Sequence, residues 1–128
     1  ATTCIKRENG GFMKPEFNEI GIEYEELMGR FANNASMANR FLKAFLNDQT
    51  FIQLQQHYTN HDQEELMKDI HTLKGLSGNL SMMQLYHITN TWLCDLRSNN
   101  LQTSEQYYQQ CLKEYTNITQ GLKEIFSE

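Results

Sequence analysis

Apolar residues recur at steps of three and four along most of this chain, which is the spacing of helices with one buried face. The pattern is most regular in the last segment, at Tyr108, Cys111, Tyr115, Ile118, Leu122 and Ile125. Similar stripes predict helices over 22–31, from residue 34 to 46 or onward to Tyr58, over 63–80 and over 82–97. We interpret no stretch as a strand. The pattern therefore predicts an all-α fold, an up-and-down four-helix bundle with one or two short N-terminal helices.

The beginning of the chain differs from the rest. Residues 1–13 contain Gly10 and Gly11 and show no periodicity, so we expect a linker or disordered tail there and a helical bundle domain over 14–128. Pro15 suits the first position of a short helix, because its missing N–H costs nothing there. That helix is expected to end near Gly21.

Capping residues mark the starts of the later helices. A side-chain oxygen at such a position accepts a backbone N–H of the first helical turn, and a Glu or Gln three residues on can reach back. The expected caps are Asn33 or Asn34, Asp62 in a capping box with Glu65, and Ser81 in a capping box with Gln84.

The composition limits the classes of partner. The formal net charge is -5, and no cluster of Lys and Arg marks a nucleic-acid surface. No apolar run approaches the roughly 20 residues that span a bilayer, and the first residues lack the apolar core of a signal peptide. We expect a cytoplasmic domain without nucleic-acid or direct membrane contact. Cys4, Cys94 and Cys111 are expected to be reduced thiols, with Cys111 in the core.

The predicted 63–80 helix presents a histidine away from its apolar face. At about 100° per residue, the positions in a narrow wedge toward the core are Leu66, Ile70, Leu73, Ser77 and Leu80. His71 and Gly75 lie outside this wedge, and Gly78 lies close to His71. Each glycine costs about 1 kcal/mol in a helix relative to alanine. Neither points into the core, so we expect that close helix packing does not explain them.

A bare surface around an exposed imidazole suits a phosphoacceptor histidine. The glycines would let a bulky partner approach His71, and Lys74 adds positive charge one turn away. A neutral imidazole nitrogen is a nucleophile, and an ammonium stabilises the charge on phosphoryl oxygens. By wheel geometry, the docking surface also includes Met67 and Met82. From the residues alone, a solvated His71 and a left-handed helix cap at Gly78 remain the alternative.

The segment from His71 to Leu80, His-Thr-Leu-Lys-Gly-Leu-Ser-Gly-Asn-Leu, resembles the signature of bacterial histidine-containing phosphotransfer (HPt) domains. That signature is a His, a Leu two residues on, then Lys-Gly, small residues and a Leu. The resemblance implies that His71 is phosphorylated, that Lys74 is its basic neighbour, and that Gly75 clears the docking face. It extends over about residues 16–127. One position departs, because many members have a Gly where this chain has Ser81.

The resemblance also implies a mechanism and a setting. HPt domains accept a phosphoryl group from a phospho-Asp receiver domain and pass it to another receiver, so the partners would be receiver domains of response regulators or hybrid kinases. No carboxylate cage is obvious near His71, so Mg²⁺ would come from the receiver, and the domain itself would need no cofactor. It lacks ATP-binding Asn and Gly boxes, so we expect no autokinase activity. We expect a monomer that originates in a hybrid sensor histidine kinase.

Two other functions remain compatible with the sequence. The bundle could be a non-catalytic interaction module, a pseudo-HPt domain in which His71 is only a contact. It could also bind a metal ion, because His57 and His61 are four residues apart with Asp62, Glu64 and Glu65 nearby. The turn expected over 59–62 opposes the metal site, because it interrupts the helical spacing.

Overall fold

The computed structural model describes residues 5–6 and 12–127, and most of them are helical. A 3-10 helix at Phe17–Ile20 precedes the α-helices. These are α1 (Tyr24–Arg30), α2 (Ala35–Leu46), α3 (Thr50–Thr59), α4 (Gln63–Asn79), α5 (Met83–Arg97) and α6 (Ser104–Ile125). The predicted all-α class is confirmed.

Helices α2 and α3 together form one arm of the bundle. The helix is interrupted between them, where the Asp48 Oδ1 accepts the backbone N–H of Thr50 at 2.8 Å. Both helices run along α6 in the opposite direction. Phe51 stacks on Tyr115 with ring centroids 4.1 Å apart, and Tyr58 stacks on Tyr108 at 3.9 Å, while Lys43 lies over the Phe126 ring near the far end of α6. With α4, α5 and α6, this broken arm completes the predicted four-helix bundle.

The core is built from the stripes that the sequence predicts. Its buried residues on α4, α5 and α6 include Leu66, Ile70, Leu73, Ser77, Leu85, Ile88, Trp92, Leu93, Leu96, Cys111, Ile118 and Leu122. Burying one such Leu or Ile contributes about 1.5–3 kcal/mol. Burial also raises the pKa of the Cys111 thiol to about 12. Two residues of the predicted stripes are exposed instead: Tyr24 on α1, and Phe41 on α2, half of whose surface is exposed beside Phe31.

The predicted caps have different outcomes. Asn34 caps α2, because its Oδ1 accepts the Met37 N–H at 3.0 Å. Asp62 caps α4 by accepting the Glu65 N–H at 3.4 Å. The box predicted at Ser81 is wrong, because Met82 is the N-cap of α5 and makes no side-chain cap hydrogen bond. Ser81 instead lies between the helices with φ +56°, the left-handed conformation that favours glycine.

Ser81→Gly is expected to stabilise the fold. The Ser81 Oγ is buried without a hydrogen-bond partner, and its Cβ makes the left-handed backbone unfavourable. We expect a gain of about 1 kcal/mol, or roughly 4 °C in Tm, by circular dichroism. Asn99→Gly is the control, because Asn99 is exposed at φ +59° and asparagine tolerates this conformation. A lower Tm for Ser81→Gly than for the wild type would show that the serine stabilises the turn.

The N-terminal part combines one predicted and one unpredicted element. The 3-10 helix ends at Ile20, with Gly21 as its C-cap at φ +95°, which confirms the expected end near Gly21, although the helix begins two residues after Pro15. Ile5–Lys6 and Phe12–Met13 form a short antiparallel strand pair that the helical pattern did not predict. The rest of the predicted tail, 1–4 and 7–11, lies outside the described residues.

Tertiary contacts join the 3-10 helix to α6. Gly121 lies against Ile20, and a Cβ on Gly121 would come within 2.9 Å of the Ile20 Cβ, so only glycine allows this approach. At the other end of α6, the Trp92 Nε1 donates to the Ser104 Oγ at 2.9 Å and links α5 to α6. Within residues 5–6 and 12–127, no helix has the length and hydropathy to cross a membrane.

Candidate functional site

The rotation of α4 in the bundle places His71 on the outside. Ile70 and Leu73 are buried on either side of it in sequence, and together they fix which face of α4 meets the core. His71, Thr72 and Gly75 are exposed on the opposite face. The wedge predicted from the sequence is therefore the buried face, and His71 projects into solvent as expected.

His71 lies between two open depressions of the surface. The first measures about 340 Å³ and is lined, besides His71, by Arg30, Lys74, Gly75, Gly78, Asn79, Met83 and Tyr86. The second measures about 480 Å³ and is lined, besides His71, by Glu64, Met67, Lys68, Thr72, Leu93 and Arg97. The ring is thus accessible from both sides, along a surface that α4 shares with α1 and α5.

Positive charge surrounds the ring although the whole chain is acidic. The cations that line the two depressions are Arg30, Lys68, Lys74 and Arg97. Glu64 is the one carboxylate residue among the same lining residues. Opposite charges steer association and stabilise bound anions, so this surface suits an acidic partner or a phosphoryl group.

The four cations are not equally available. Lys68 donates to the Glu65 Oε2 at 3.0 Å, and this hydrogen bond raises the pKa of the lysine. Arg30 donates through Nε to the Glu26 Oε1 at 3.3 Å. Lys74 and Arg97 have no carboxylate partner in the described part of the chain. These two cations are therefore the ones most available to an incoming anion.

The two glycines of the motif have different roles. A Cβ on Gly75 would meet nothing within 4 Å, so this position leaves open space beside His71. A Cβ on Gly78 would lie 3.1 and 3.3 Å from two atoms of the Tyr86 ring. Our expectation that close packing does not explain the glycines is therefore wrong for Gly78. Nor is Gly78 a left-handed cap, because α4 continues to Asn79.

The predicted docking residues are only partly on the surface. Met67 is half-buried and lines the second depression. The prediction that Met82 belongs to the docking surface is wrong, because Met82 is fully buried and cannot contact a partner. A helical wheel drawn for α4 does not apply to Met82, because the chain turns at Ser81 before it reaches this residue. Met83, the first residue of α5, lines the first depression instead.

The residues of the alternative metal site do not converge. The His57 Nδ1 lies 2.5 Å from the Asp69 Oδ2, which joins α3 to α4. His61 lies in the turn after α3 with φ +57°, so the helical spacing between the two histidines is lost. No group of three or more His, Cys, Asp or Glu that could hold a metal ion occurs in residues 5–6 and 12–127.

The contact between His57 and Asp69 predicts a pH-dependent stability. The hydrogen bond to Asp69 is the main cause of the raised pKa of His57, and Asp62 and Glu65 add to it. Because the pKa of His57 is higher in the folded than in the unfolded protein, the contact stabilises the fold fully below about pH 6.5. This stabilisation is lost as the pH rises through the pKa of the folded state. We expect His57→Gln to lower the urea midpoint more at pH 6 than at pH 9. Equal losses at both pH values would contradict a charged pair.

Sequence reasoning missed Arg30, Met83, Tyr86 and Arg97 as residues near His71. Tyr86, Leu93 and Arg97 follow one another at seven and four residues, so they share a stripe of α5. This spacing is visible in the sequence. It does not reveal that the stripe lies beside the outer face of α4, because that depends on how the two helices pack.

Comparison with known families identifies one match. A sequence model described as the Hpt domain matches residues 41–121, which include α3, α4 and α5 and most of α6. The match therefore includes His71, Lys74 and both glycines of the motif. Comparison with curated proteins and with solved structures found no match.

Proposed function

The chain belongs to the Hpt domain family, whose role is phosphotransfer in phosphorelays, and from this premise we propose that His71 is its phosphoacceptor. His71 receives the phosphoryl group from a phospho-Asp of one receiver domain and passes it to a second receiver or returns it. The observation that carries the proposal is the exposed position of His71 beside Gly75, with Lys74 and Arg97 in the adjoining depressions.

The chemical step is a displacement at phosphorus. The lone pair of a neutral His71 ring nitrogen forms the N–P bond, and the P–O bond to the receiver's aspartate breaks. The electron pair of that bond leaves with the carboxylate oxygen. The ring is positively charged until its other nitrogen releases a proton. For the second transfer the other ring nitrogen takes up a proton again, the carboxylate of the second receiver forms the new P–O bond, and the electron pair of the N–P bond returns to the ring, which leaves neutral histidine.

The cations around the ring have a role in this step. Negative charge spreads over the outer phosphoryl oxygens as the group moves, and a nearby cation stabilises it. Lys74 comes from the same helix as His71, while Arg97 reaches the surface from α5. We propose that Lys74 contacts the phosphoryl group. Glu64 alone does not make a carboxylate cage, which supports a partner that brings its own Mg²⁺.

The other histidines of the described chain are less suited to this role. His57 is held by Asp69, and a receiver that approached it would have to break that contact. His61 lies in a turn without a cleared helical face. His87 is exposed on α5, but its ring packs edge-on against Tyr86. Among these described histidines, only His71 has a glycine with open space one turn away on its own helix.

The direct test is phosphoryl transfer. A receiver domain carrying radiolabelled phospho-Asp is mixed with this protein, and the label is followed on a gel. We expect label on the protein that withstands alkali and is lost in acid, as phosphohistidine does. Absence of label with a panel of several receivers would favour an interaction module without phosphotransfer. The same panel identifies which receivers are partners, and reverse transfer from the labelled protein gives the direction of flow.

A hybrid sensor kinase is the setting that we propose for this domain. In that setting it would act as a monomeric unit that receives its phosphoryl group from the kinase's own receiver. It would then need no ATP site of its own. Pull-down of full-length sensor kinases with their receivers, compared with response regulators alone, would distinguish this setting from a free-standing carrier.

A further inference from the structure

We propose that Tyr86 is a positioning residue for phosphotransfer, which holds the Lys74 ammonium beside His71 through the face of its ring. The inference rests on the proposed function of His71, and it adds a residue from outside the sequence motif. Tyr86 lies on α5, whereas His71 and Lys74 lie on α4. The three residues line the same depression.

The geometry joins the lysine to the tyrosine. The Lys74 Nζ lies 6.0 Å from the centroid of the Tyr86 ring, at the limit of the range in which the negative face of an aromatic ring attracts a cation. Lys74 is only partly exposed, and it makes no ion pair in the described part of the chain. The Tyr86 ring is therefore the electrostatic partner that the described structure offers to this ammonium.

Gly78 allows the ring to take this place. A side chain on Gly78 would contact the Tyr86 Cδ1 at 3.1 Å and the Cε1 at 3.3 Å, so the ring lies directly over the bare backbone of α4. One turn of helix separates Gly78 from Lys74, and both face the same depression. The glycine thus has a second use besides access for a partner. It lets a residue of α5 reach the lysine of α4.

The contact with Tyr86 matters for transfer because the lysine side chain is flexible. A free lysine side chain samples many rotamers, and fixing it on a phosphoryl group costs conformational entropy. A ring that restrains the ammonium near His71 lowers this cost before the partner arrives. The attraction is weak enough to be exchanged for phosphoryl oxygens, because an exposed cation–π contact contributes about 0.5–1 kcal/mol.

The first test is spectroscopic and needs no partner. A proton above the face of an aromatic ring resonates upfield, so the ε-methylene protons of Lys74 should be upfield of those of Lys68, which pairs with a carboxylate. Tyr86→Leu should abolish the difference and Tyr86→Phe should keep it. Lys74 protons at the position of the Lys68 protons in the wild type would overturn the proposal, whether or not His71 is phosphorylated.

The second test is a double-mutant cycle on the rate of phosphoryl transfer. Tyr86→Leu should slow transfer roughly threefold to fivefold when Lys74 is present, and less than twofold in a Lys74→Gln protein. Tyr86→Phe should retain the wild-type rate within about twofold. Equal slowing in both backgrounds would show that Tyr86 contacts the receiver directly, and no slowing in either would also overturn the proposal.

A second variant covers the case in which Tyr86→Leu disturbs the fold. Gly78→Ala adds one methyl group that displaces the ring by a few tenths of an ångström and favours the helix. We expect slower transfer and a reduced upfield shift of Lys74 in a protein that keeps the helical circular dichroism and the cooperative unfolding of the wild type. An unchanged Lys74 shift with slower transfer would assign Gly78 to receiver contact alone and contradict the role of Tyr86. Failure of the wild type to accept label would instead overturn the phosphoacceptor role.

Discussion

His71→Gln is expected to abolish phosphoryl acceptance while leaving the fold intact. Glutamine is polar and of similar length, but its amide nitrogen has no lone pair available for attack on phosphorus. The ring that it replaces is exposed and has no described hydrogen-bond partner, so the change in unfolding free energy should be within about 0.5 kcal/mol. Label transfer from a phospho-receiver and thermal denaturation measure the two quantities.

His87→Gln is the matched control for this variant. His87 is also exposed on a bundle helix, but it belongs to α5 and not to the cleared face. We expect it to accept label at a rate close to that of the wild type. Retained labelling of His71→Gln would exclude His71 as the acceptor. A cooperative loss of helix signal in the same variant would show that His71 has a structural role instead.

Gly75→Leu is expected to prevent transfer by a different route. The glycine leaves open space one turn from His71, and a leucine there would project into the region that a receiver must occupy. A displacement of the partner by about 1 Å can cost a hundredfold in rate, so we expect at least that loss. Leucine also favours helices by almost 1 kcal/mol over glycine, so the variant should be more stable than the wild type.

This combination separates crowding from damage to the fold. Loss of transfer in a stabilised protein cannot be attributed to unfolding. Gly29→Leu is the control, because Gly29 is exposed on α1, a Cβ there would meet nothing within 4 Å, and the residue lines neither depression. It should transfer normally. Wild-type rates for Gly75→Leu would contradict the requirement for a bare surface beside His71.

Local periodicity was sufficient to predict much of the fold and the exposure of the histidine. The wedge of α4 is buried as predicted because the helical repeat fixes which residues share a face. Periodicity alone does not decide whether the helix from residue 34 ends at 46 or continues to Tyr58, because the apolar stripe continues across the break between α2 and α3. Its cause is local all the same, since the Asp48 side chain binds the Thr50 N–H.

Features that depend on neighbouring helices could not be predicted from one helix. Met82 is buried because the chain turns sharply at Ser81, and a wheel drawn through α4 cannot represent that turn. Gly78 lacks a side chain where the Tyr86 ring of α5 lies against α4, so the reason for this glycine is on a neighbouring helix. Arg30 and Arg97 reach the surface near His71 from helices far away in sequence. The signature thus points to α4 as the helix of the proposed acceptor, whereas the residues that surround His71 are defined only by the packing of the helices.

The location of the phosphoryl group on the chain tests the central claim most directly. After transfer, tryptic digestion at alkaline pH releases the peptide 69–74, in which His71 is the only histidine, since cleavage follows Lys68 and Lys74. His57 and His61 fall in the peptide 44–68, and His87 falls in 75–97. Mass spectrometry should find the phosphoryl group on 69–74. A phosphoryl group on either of the other peptides, with none on 69–74, would contradict the assignment of His71.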